Sequence, residues 1–490
     1  MRFREGGEHC GAKFRPVNSY AAGLPAVGCR YQPGGGVQKG GRVFKGHTTA
    51  DKVSDGDSTI GGDMGPGRAA WGWGWRGVYH AWRGTYIMKV FGLKGASDAV
   101  PQNSVTYLDN AATSWPKPDA VAQAISRFLA TEAANPGRAG HRMAVAAERM
   151  LDRVRGQLTE FIGGTDPQRM ILTMNCTDAL NIAFKTMLRA GDHVITTMLE
   201  HNSVNRPLQT MADHGFITLT RVGFSPRYGV IDPDDVRKAI GPKTRLIALT
   251  HASNVLGTIQ PAAEIGRIAR AHGVKFLLDA AQTIGVVDID VARDGIDWLA
   301  FPGHKSLLGP TGTGGLYVHS TVDLKELIAF REGGTGGDSS NPVQPREMPY
   351  FLEGGTPNTV GVAGLEAGVQ FVRNNHPAET LAHERHLVQQ LADALTALPR
   401  VRGYGPAGAG AADNRVGTIC FNVEGLTPQE IGGILDESYG IAVRPGLHCS
   451  PYAHRVLGTF PDGTVRMSPG QFNTAADVAK LIGALRDITA

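Results

Sequence analysis

Cysteine is scarce in this 490-residue chain: five residues, at positions 10, 29, 176, 420 and 449, an odd number with no CxxC pair. That spacing argues against a disulfide framework and against a structural zinc site, so no metal is expected. Long apolar runs are missing as well. None approaches the roughly 20 residues that cross a bilayer, and the N-terminus lacks the apolar stretch of a secretory signal, so a cytoplasmic protein without a membrane partner is expected. Charge of one sign is not concentrated either. The 49 Lys and Arg against 45 Asp and Glu leave a net charge of +4 and no dense basic stripe, which speaks against a nucleic-acid partner. What is present, 42% hydrophobic and 19% charged residues, is the make-up of a globular protein of two or three domains.

Residues 1–103 differ from the rest. They hold 22 of the 65 glycines and four of the six tryptophans, three of these in Trp71-Gly-Trp-Gly-Trp75. No period of 2 or 3.6 persists there over an element's length, so little apolar surface is available to offset ordering entropy, and this extension is expected to be mostly disordered. Two readings compete for it: a flexible Gly/Arg/aromatic interaction arm, or upstream sequence outside the native product. Met88, which opens Met-Lys-Val-Phe-Gly-Leu shortly before the first expected strand, favours the second.

From Val105 onward, short apolar strands alternate with amphipathic helices, the pattern of an α/β domain with a mostly parallel sheet. Strands are predicted at Met170 to Met174, His193 to Thr197, Leu246 to Thr250, Lys275 to Leu278, Trp298 to Phe301 and Gly315 to Val318, with helices such as Asp178 to Leu188 and Ala262 to His272 between them. A break near Asn374 to Pro377 divides a large domain, 104–376, from a small C-terminal one, 377–490. The small unit is expected to contain a helix over Thr380 to Leu398, a strand at Gly417 to Val423, a helix from Pro428 to Glu437 and a last helix opened by the capping-box-like Thr474-Ala-Ala-Asp477.

In an open parallel sheet, ligands bind beyond the carboxyl ends of the strands, so polar residues just there carry the chemistry. Asn175-Cys176-Thr177-Asp178 runs from a strand into a helix, where backbone N–H groups and the Thr177 hydroxyl form an anion cradle. The Cys176 backbone belongs to that cradle, while its thiol is read as buried and without a role. Asp279 ends a buried strand and needs a cationic or N–H partner. Lys305 sits between an apolar strand and Gly309-Pro-Thr-Gly-Thr-Gly-Gly, where desolvation lowers its pKa and frees a neutral amine to condense with an aldehyde. His304 beside it suits a phosphate, and His201, after another strand, suits ring stacking or proton transfer. Taken singly, these are ordinary features: a helix cap, a loop-capping carboxylate, a surface lysine, a loop histidine. Together they are the set that an aldehyde-phosphate cofactor requires.

The residues resemble the class V aminotransferase family, and within it the cysteine desulfurases of the SufS-like group, from Tyr107 to the C-terminus. The likeness rests on Leu108-Asp-Asn-Ala-Ala-Thr113, Glu200-His-Asn-Ser203, Ser253-Asn-Val-Leu-Gly-Thr258, Asp279-Ala-Ala-Gln282, Gly303-His-Lys305, Gly355-Thr-Pro-Asn358 and Arg444-Pro-Gly-Leu-His-Cys449. It implies a type I fold of pyridoxal 5'-phosphate (PLP) dependent transferases, with Lys305 joined to the cofactor, Asp279 on the pyridine nitrogen, Gln282 on the ring hydroxyl oxygen and His201 stacked on the ring. It also implies that Thr177 and His304 hold the phosphate, with Thr356 supplied by the second subunit of a homodimer. Arg466 would clamp the substrate carboxylate through its fork, with Asn254 nearby and Arg444 as a further candidate.

Cys449 is the discriminating residue. The resemblance implies that it takes the sulfur of L-cysteine as a persulfide, leaves alanine, and passes the sulfur to a protein acceptor. A thiolate is the nucleophilic form, and His448 and Arg444 are neighbours suited to raising its fraction. Cys420, in an apolar strand, reads as structural. The short Arg444 to His454 segment matches the SufS-like group rather than the group with a long cysteine loop. Related activities use the same residues, selenocysteine lyase or another C–S lyase among them, and a PLP-bound sulfur-relay scaffold without turnover is the non-enzyme alternative. One departure stands out: Pro302 lies where the family usually has Ser or Thr, whose hydroxyl bonds the phosphate. Pro302→Thr is therefore expected to retain PLP roughly tenfold more tightly, the yield of one hydrogen bond to a charged group. A fluorescence titration of the apoprotein with PLP measures this, and equal or weaker affinity in the variant rejects it.

Overall fold

A computed structural model of the chain describes residues 105–137, 140–335 and 340–490. The expectation for residues 1–103 lies outside them. The first strand, Thr106–Tyr107 (β1), precedes a seven-stranded sheet made of Met170–Thr173 (β2), Asp192–Thr197 (β3), Ile217–Val222 (β4), Thr244–Thr250 (β5), Lys275–Asp279 (β6), Trp298–Pro302 (β7) and Gly314–Val318 (β8). Their spatial order is β2-β8-β7-β6-β5-β3-β4. Within it β8 alone runs against its neighbours β2 and β7, so the sheet is mostly parallel, as expected.

The central strands β6, β7 and β8 are mostly apolar and buried because helices cover both faces of the sheet. Along β7, Trp298 and Ala300 enter one core cluster, whereas Leu299 and Phe301 enter the other. In β5, Ile247 and Leu249 alternate in the same way with Leu246 and Ala248, the period of 2 that a pleated strand imposes. All six predicted strands of this sheet are present, with ends shifted by two residues or fewer. The seventh, β4, carried no continuous apolar run. It is one of the two edge strands, and between its buried ends Thr218 is exposed and residues 219–221 are half-buried.

The helix Thr359–Asn374 ends at Asn375, and Pro377 starts the next helix, Pro377–Ala397. Beyond it, Val401–Gly403 (β9), Ile419–Val423 (β10), Ile441–Ala442 (β11), Arg444–Gly446 (β12) and Thr464–Met467 (β13) follow. An antiparallel sheet of order β12-β13-β10-β9 packs on its own core, which includes Leu387, Leu391, Phe421, Val465 and Leu485. Leu108 joins this core, and β1 pairs in parallel with β11, so the first described segment is fastened to the last third of the chain. Capping boxes open the helices Pro428–Tyr439 (at Thr427) and Ala475–Thr489 (at Thr474). Among the described residues, no helix is long and apolar enough to cross a membrane.

Two glycines let the backbone around Lys305 close up. A Cβ at Gly303 would lie 2.3 Å from Thr313 Oγ1, and one at Gly368, in the helix Thr359–Asn374, would lie 2.5 Å from the Leu307 carbonyl oxygen. Helix propensity alone favours Ala over Gly by about 1 kcal/mol. At position 368 the obstacle is backbone and cannot rotate away, so overpacking wins. Gly368→Ala is expected to destabilise the protein by about 1–3 kcal/mol, read as a lower midpoint in chemical unfolding; a neutral or stabilising result contradicts the packing argument.

Candidate active site

The carboxyl ends of three neighbouring strands, Thr250 of β5, Asp279 of β6 and Pro302 of β7, meet at one cavity of about 190 Å³. Asn175, Cys176 and Thr177 line it from the start of the helix Cys176–Met187. His201, Asn254, Gln282, His304, Lys305, Arg444 and Arg466 complete much of the wall. Of the twelve residues singled out in the sequence, only Thr356 and Cys449 do not line it. Thr356 lies with Gly355 and Glu353 at two other cavities. Cys449 adjoins through Arg444, whose Nη2 is 3.9 Å from its Sγ.

At the cradle, the Asp178 N–H donates to the Asn175 side chain at 2.9 Å, capping the helix. The N–H groups of Cys176 and Thr177 lie in the first turn, where no helical carbonyl is available to them. The Thr177 hydroxyl lies 2.6 Å from that of Ser203, which in turn is 2.8 Å from His201 Nδ1. Ser203 therefore links the cradle to the ring-stacking candidate. It was visible in the motif Glu200-His-Asn-Ser but had no assigned role. Among the described residues, His304 Nδ1 is buried and finds no hydrogen-bond partner.

Burial controls the charge states. Asp279 is 2% exposed, and desolvation raises its pKa against the N–H of Ala281 (2.9 Å) and the thiol of Cys176 (3.3 Å), both donating to Oδ1. Cys176 thus contacts the central carboxylate, and its own thiol is pushed well up by burial and by Asp279. Lys305 opens on to the cavity, yet desolvation pulls its amine below the lysine range, with Asp279 acting the other way. Glu200, fully buried beside His201, is raised to about 8 by desolvation, and its Oε1 accepts from Thr197 and from the Thr250 N–H.

His201 caps the helix Asn202–Asp213, its Nδ1 accepting from the Ser203 N–H at 3.1 Å. Gln282 donates to the Ala111 carbonyl at 3.1 Å. Arg466, 1% exposed, is already engaged: Nη2 meets Asp109 Oδ1 at 2.5 Å and Nη1 meets the Asn254 carbonyl at 3.0 Å, while Nε has no partner among the described residues. Asp109 lies in the Leu-Asp-Asn-Ala-Ala-Thr motif and was not singled out as a site residue. His448 departs from expectation as an electrostatic neighbour of Cys449. Burial and nearby Arg466 push its pKa well below 6.5, so the ring is neutral and adds no positive charge.

Residues 106–481 match the family model described as aminotransferase class-V. The chain belongs to the class-V aminotransferase family. It is 34% identical over 385 residues to a probable cysteine desulfurase of Methanothermobacter thermautotrophicus, covering 78% of this chain and 94% of that one. Among solved structures it resembles a cysteine desulfurase from Thermococcus onnurineus, at 31% identity with a TM-score of 0.73 over 81% of this chain and 99% of that one. A cysteine desulfurase from Escherichia coli is similar at 28% identity and a TM-score of 0.70, covering 79% and 96%. The fold is type I of the PLP-dependent transferases.

Class-V aminotransferases use pyridoxal phosphate, and the cavity suits it. Among the described residues it offers an amine depressed by desolvation, a carboxylate whose Oδ2 makes no protein hydrogen bond, and a helix N-terminus together with an imidazole nitrogen that has no partner. A cofactor with an aldehyde, a ring nitrogen and a phosphate has a complement for each.

The His201 pKa is depressed to about 3, first by desolvation and then by the positive charges of Lys305, Arg444, Arg466 and Arg206. Protonation is disfavoured in the folded state, so the ring is expected to stay neutral as pH falls from 8 to 5. Nitrogen-15 NMR of the ring measures this directly, and a titration midpoint above 5 contradicts it.

Proposed function

We propose that this chain is a PLP-dependent cysteine desulfurase of the SufS-like group, which converts L-cysteine to L-alanine and leaves the sulfur as a persulfide on Cys449. The single observation carrying the reading is the contact of Arg444 with both elements: it walls the cavity that holds Lys305 and Asp279, and its guanidinium lies 3.9 Å from the Cys449 thiol. Kinship to the named desulfurases supports it.

When bound, pyridoxal phosphate supplies an electron-withdrawing ring that stabilises negative charge at the substrate α-carbon. Lys305 would hold the cofactor through its desolvated amine and afterwards move protons at the substrate. Asp279 would keep the ring nitrogen protonated, Gln282 would face the ring hydroxyl, and neutral His201 would stack on the ring. Thr177, His304 and the Cys176 backbone would hold the phosphate, with Thr356 of the second subunit in a homodimer. Arg466 and Arg444 offer guanidinium groups to the substrate carboxylate, Arg466 by exchanging its bond to Asp109. Asn254, which lines the same cavity, would lie near that carboxylate.

The Cys449 thiolate would attack the substrate sulfur. An S–S bond forms, the Cβ–S bond breaks with its electron pair staying on carbon, and a proton completes alanine. Sulfur is oxidised as the β-carbon is reduced, so no outside oxidant is needed, and transfer to an acceptor thiol is an exchange in which the Cys449 thiol is the leaving group. In domain terms, the cofactor residues belong to a large unit, 104–376, and Cys449 to a smaller one, 377–490.

Purified protein loaded with PLP and given L-cysteine, without reductant, is expected to release one alanine per persulfide formed on Cys449. Cys449→Ser is expected to keep the bound cofactor's absorbance and lose alanine formation by at least a hundredfold. Alanine production that survives this substitution, or alanine without persulfide, rejects the reading.

A further inference from the structure

Cys449 sits in a backbone conformation that its own residue types disfavour. His448 and Cys449 have φ of 51° and 59°, two successive residues with a Cβ in the left-handed region. Such a pair persists only where its surroundings over-determine it. The Asn254 amide, on the loop after β5, spans the turn from one side to the other. Its Nδ2 donates to the His448 carbonyl at 2.6 Å, and its Oδ1 accepts from the Ser450 hydroxyl at 2.6 Å. Both groups flank Cys449, and both Asn254 (6% exposed) and Ser450 (0% exposed) are buried.

Other contacts close the remaining freedom. The Asn202 N–H donates to the Cys449 carbonyl at 2.7 Å, and the Ser450 N–H to the Leu447 carbonyl at 2.8 Å. The His448 ring is pinned as well. Its Nε2 faces the Arg444 carbonyl at 2.9 Å and must donate, which leaves Nδ1 to accept from His454 Nε2 at 3.4 Å. His454, fully buried, then accepts at Nδ1 from the Thr459 hydroxyl at 2.8 Å.

We propose that Asn254 and Ser450 are positioning residues that lock the Cys449 turn, holding the thiol beside Arg444 at the cavity mouth. The buried His448–His454–Thr459 chain supports the same turn from behind. What the thiol does once placed rests on the desulfurase reading.

The test uses the full-length protein loaded with PLP and compares Asn254→Ala with Ser450→Ala. Ser450 has no exposed surface with which to meet a substrate, so only a positioning role makes the two variants alike. Both are expected to speed amide hydrogen exchange at least tenfold in peptides covering residues 446–452, and to lower kcat at least tenfold with KM within threefold. Asn254→Asp keeps the acceptor for Ser450 but sets a carboxylate oxygen against the His448 carbonyl, and its exchange should also rise at least tenfold over the unsubstituted protein, a comparison that needs neither alanine variant. A raised KM in Asn254→Ala with unchanged exchange and a silent Ser450→Ala overturns the proposal. Lack of turnover in the unsubstituted protein would overturn the desulfurase reading instead, while the exchange comparison still decides the clamp.

Discussion

Desolvation at the carboxyl edge of the central sheet controls most of what this site can do. A lysine amine and an aspartate carboxyl are both withdrawn from water there, and each is driven toward its neutral form while their mutual attraction opposes the drift. The strands that deliver Asp279 and Pro302 are apolar on both faces, so no surface water reaches these groups through the sheet. Charge enters the cavity instead from the C-terminal part of the chain, as the guanidinium groups of Arg444 and Arg466 on β12 and β13.

Much of the remaining architecture follows from the need to satisfy polar groups in that setting. Glu200 has a protonated form favoured by burial, which leaves Asp279 without a second full negative charge nearby. Histidines 201, 304 and 448 are all depressed and therefore act as neutral donors and acceptors rather than cations. Their roles are set by geometry: one caps a helix and faces the cavity, one presents an unpaired nitrogen, and one is a strut beneath the cysteine turn. The guanidinium groups are the persistent positive charges, which suits carboxylate and thiolate ligands.

The association of β1 with β11, and of Asp109 with Arg466, ties the first described residues to the far end of the chain. The substrate-carboxylate candidate is consequently held by a carboxylate of its own before any ligand arrives. That arrangement avoids leaving a buried guanidinium unpaired, at the cost of a competitor for the fork.

Read as a string, the chain displayed the strands of its central sheet, because strands buried on both faces are continuous apolar runs, and it displayed the chemical groups at their ends. Tyr107 to Thr113, Asp279 to Gln282 and Gly303 to Lys305 were enough to point to a family and a cofactor. The edge strand β4 was not legible, since its partly exposed residues blur the apolar signal. Nor was the state of the groups themselves. That Arg466 is bound to Asp109, 357 positions away, that the Asn254 amide grips the cysteine turn 194 positions on, and that His448 is neutral all depend on partners brought together by folding. Residue type determines which bonds a side chain is able to make; the tertiary structure alone decides which of them are already made, because burial and hydrogen-bond partners are properties of the packed chain.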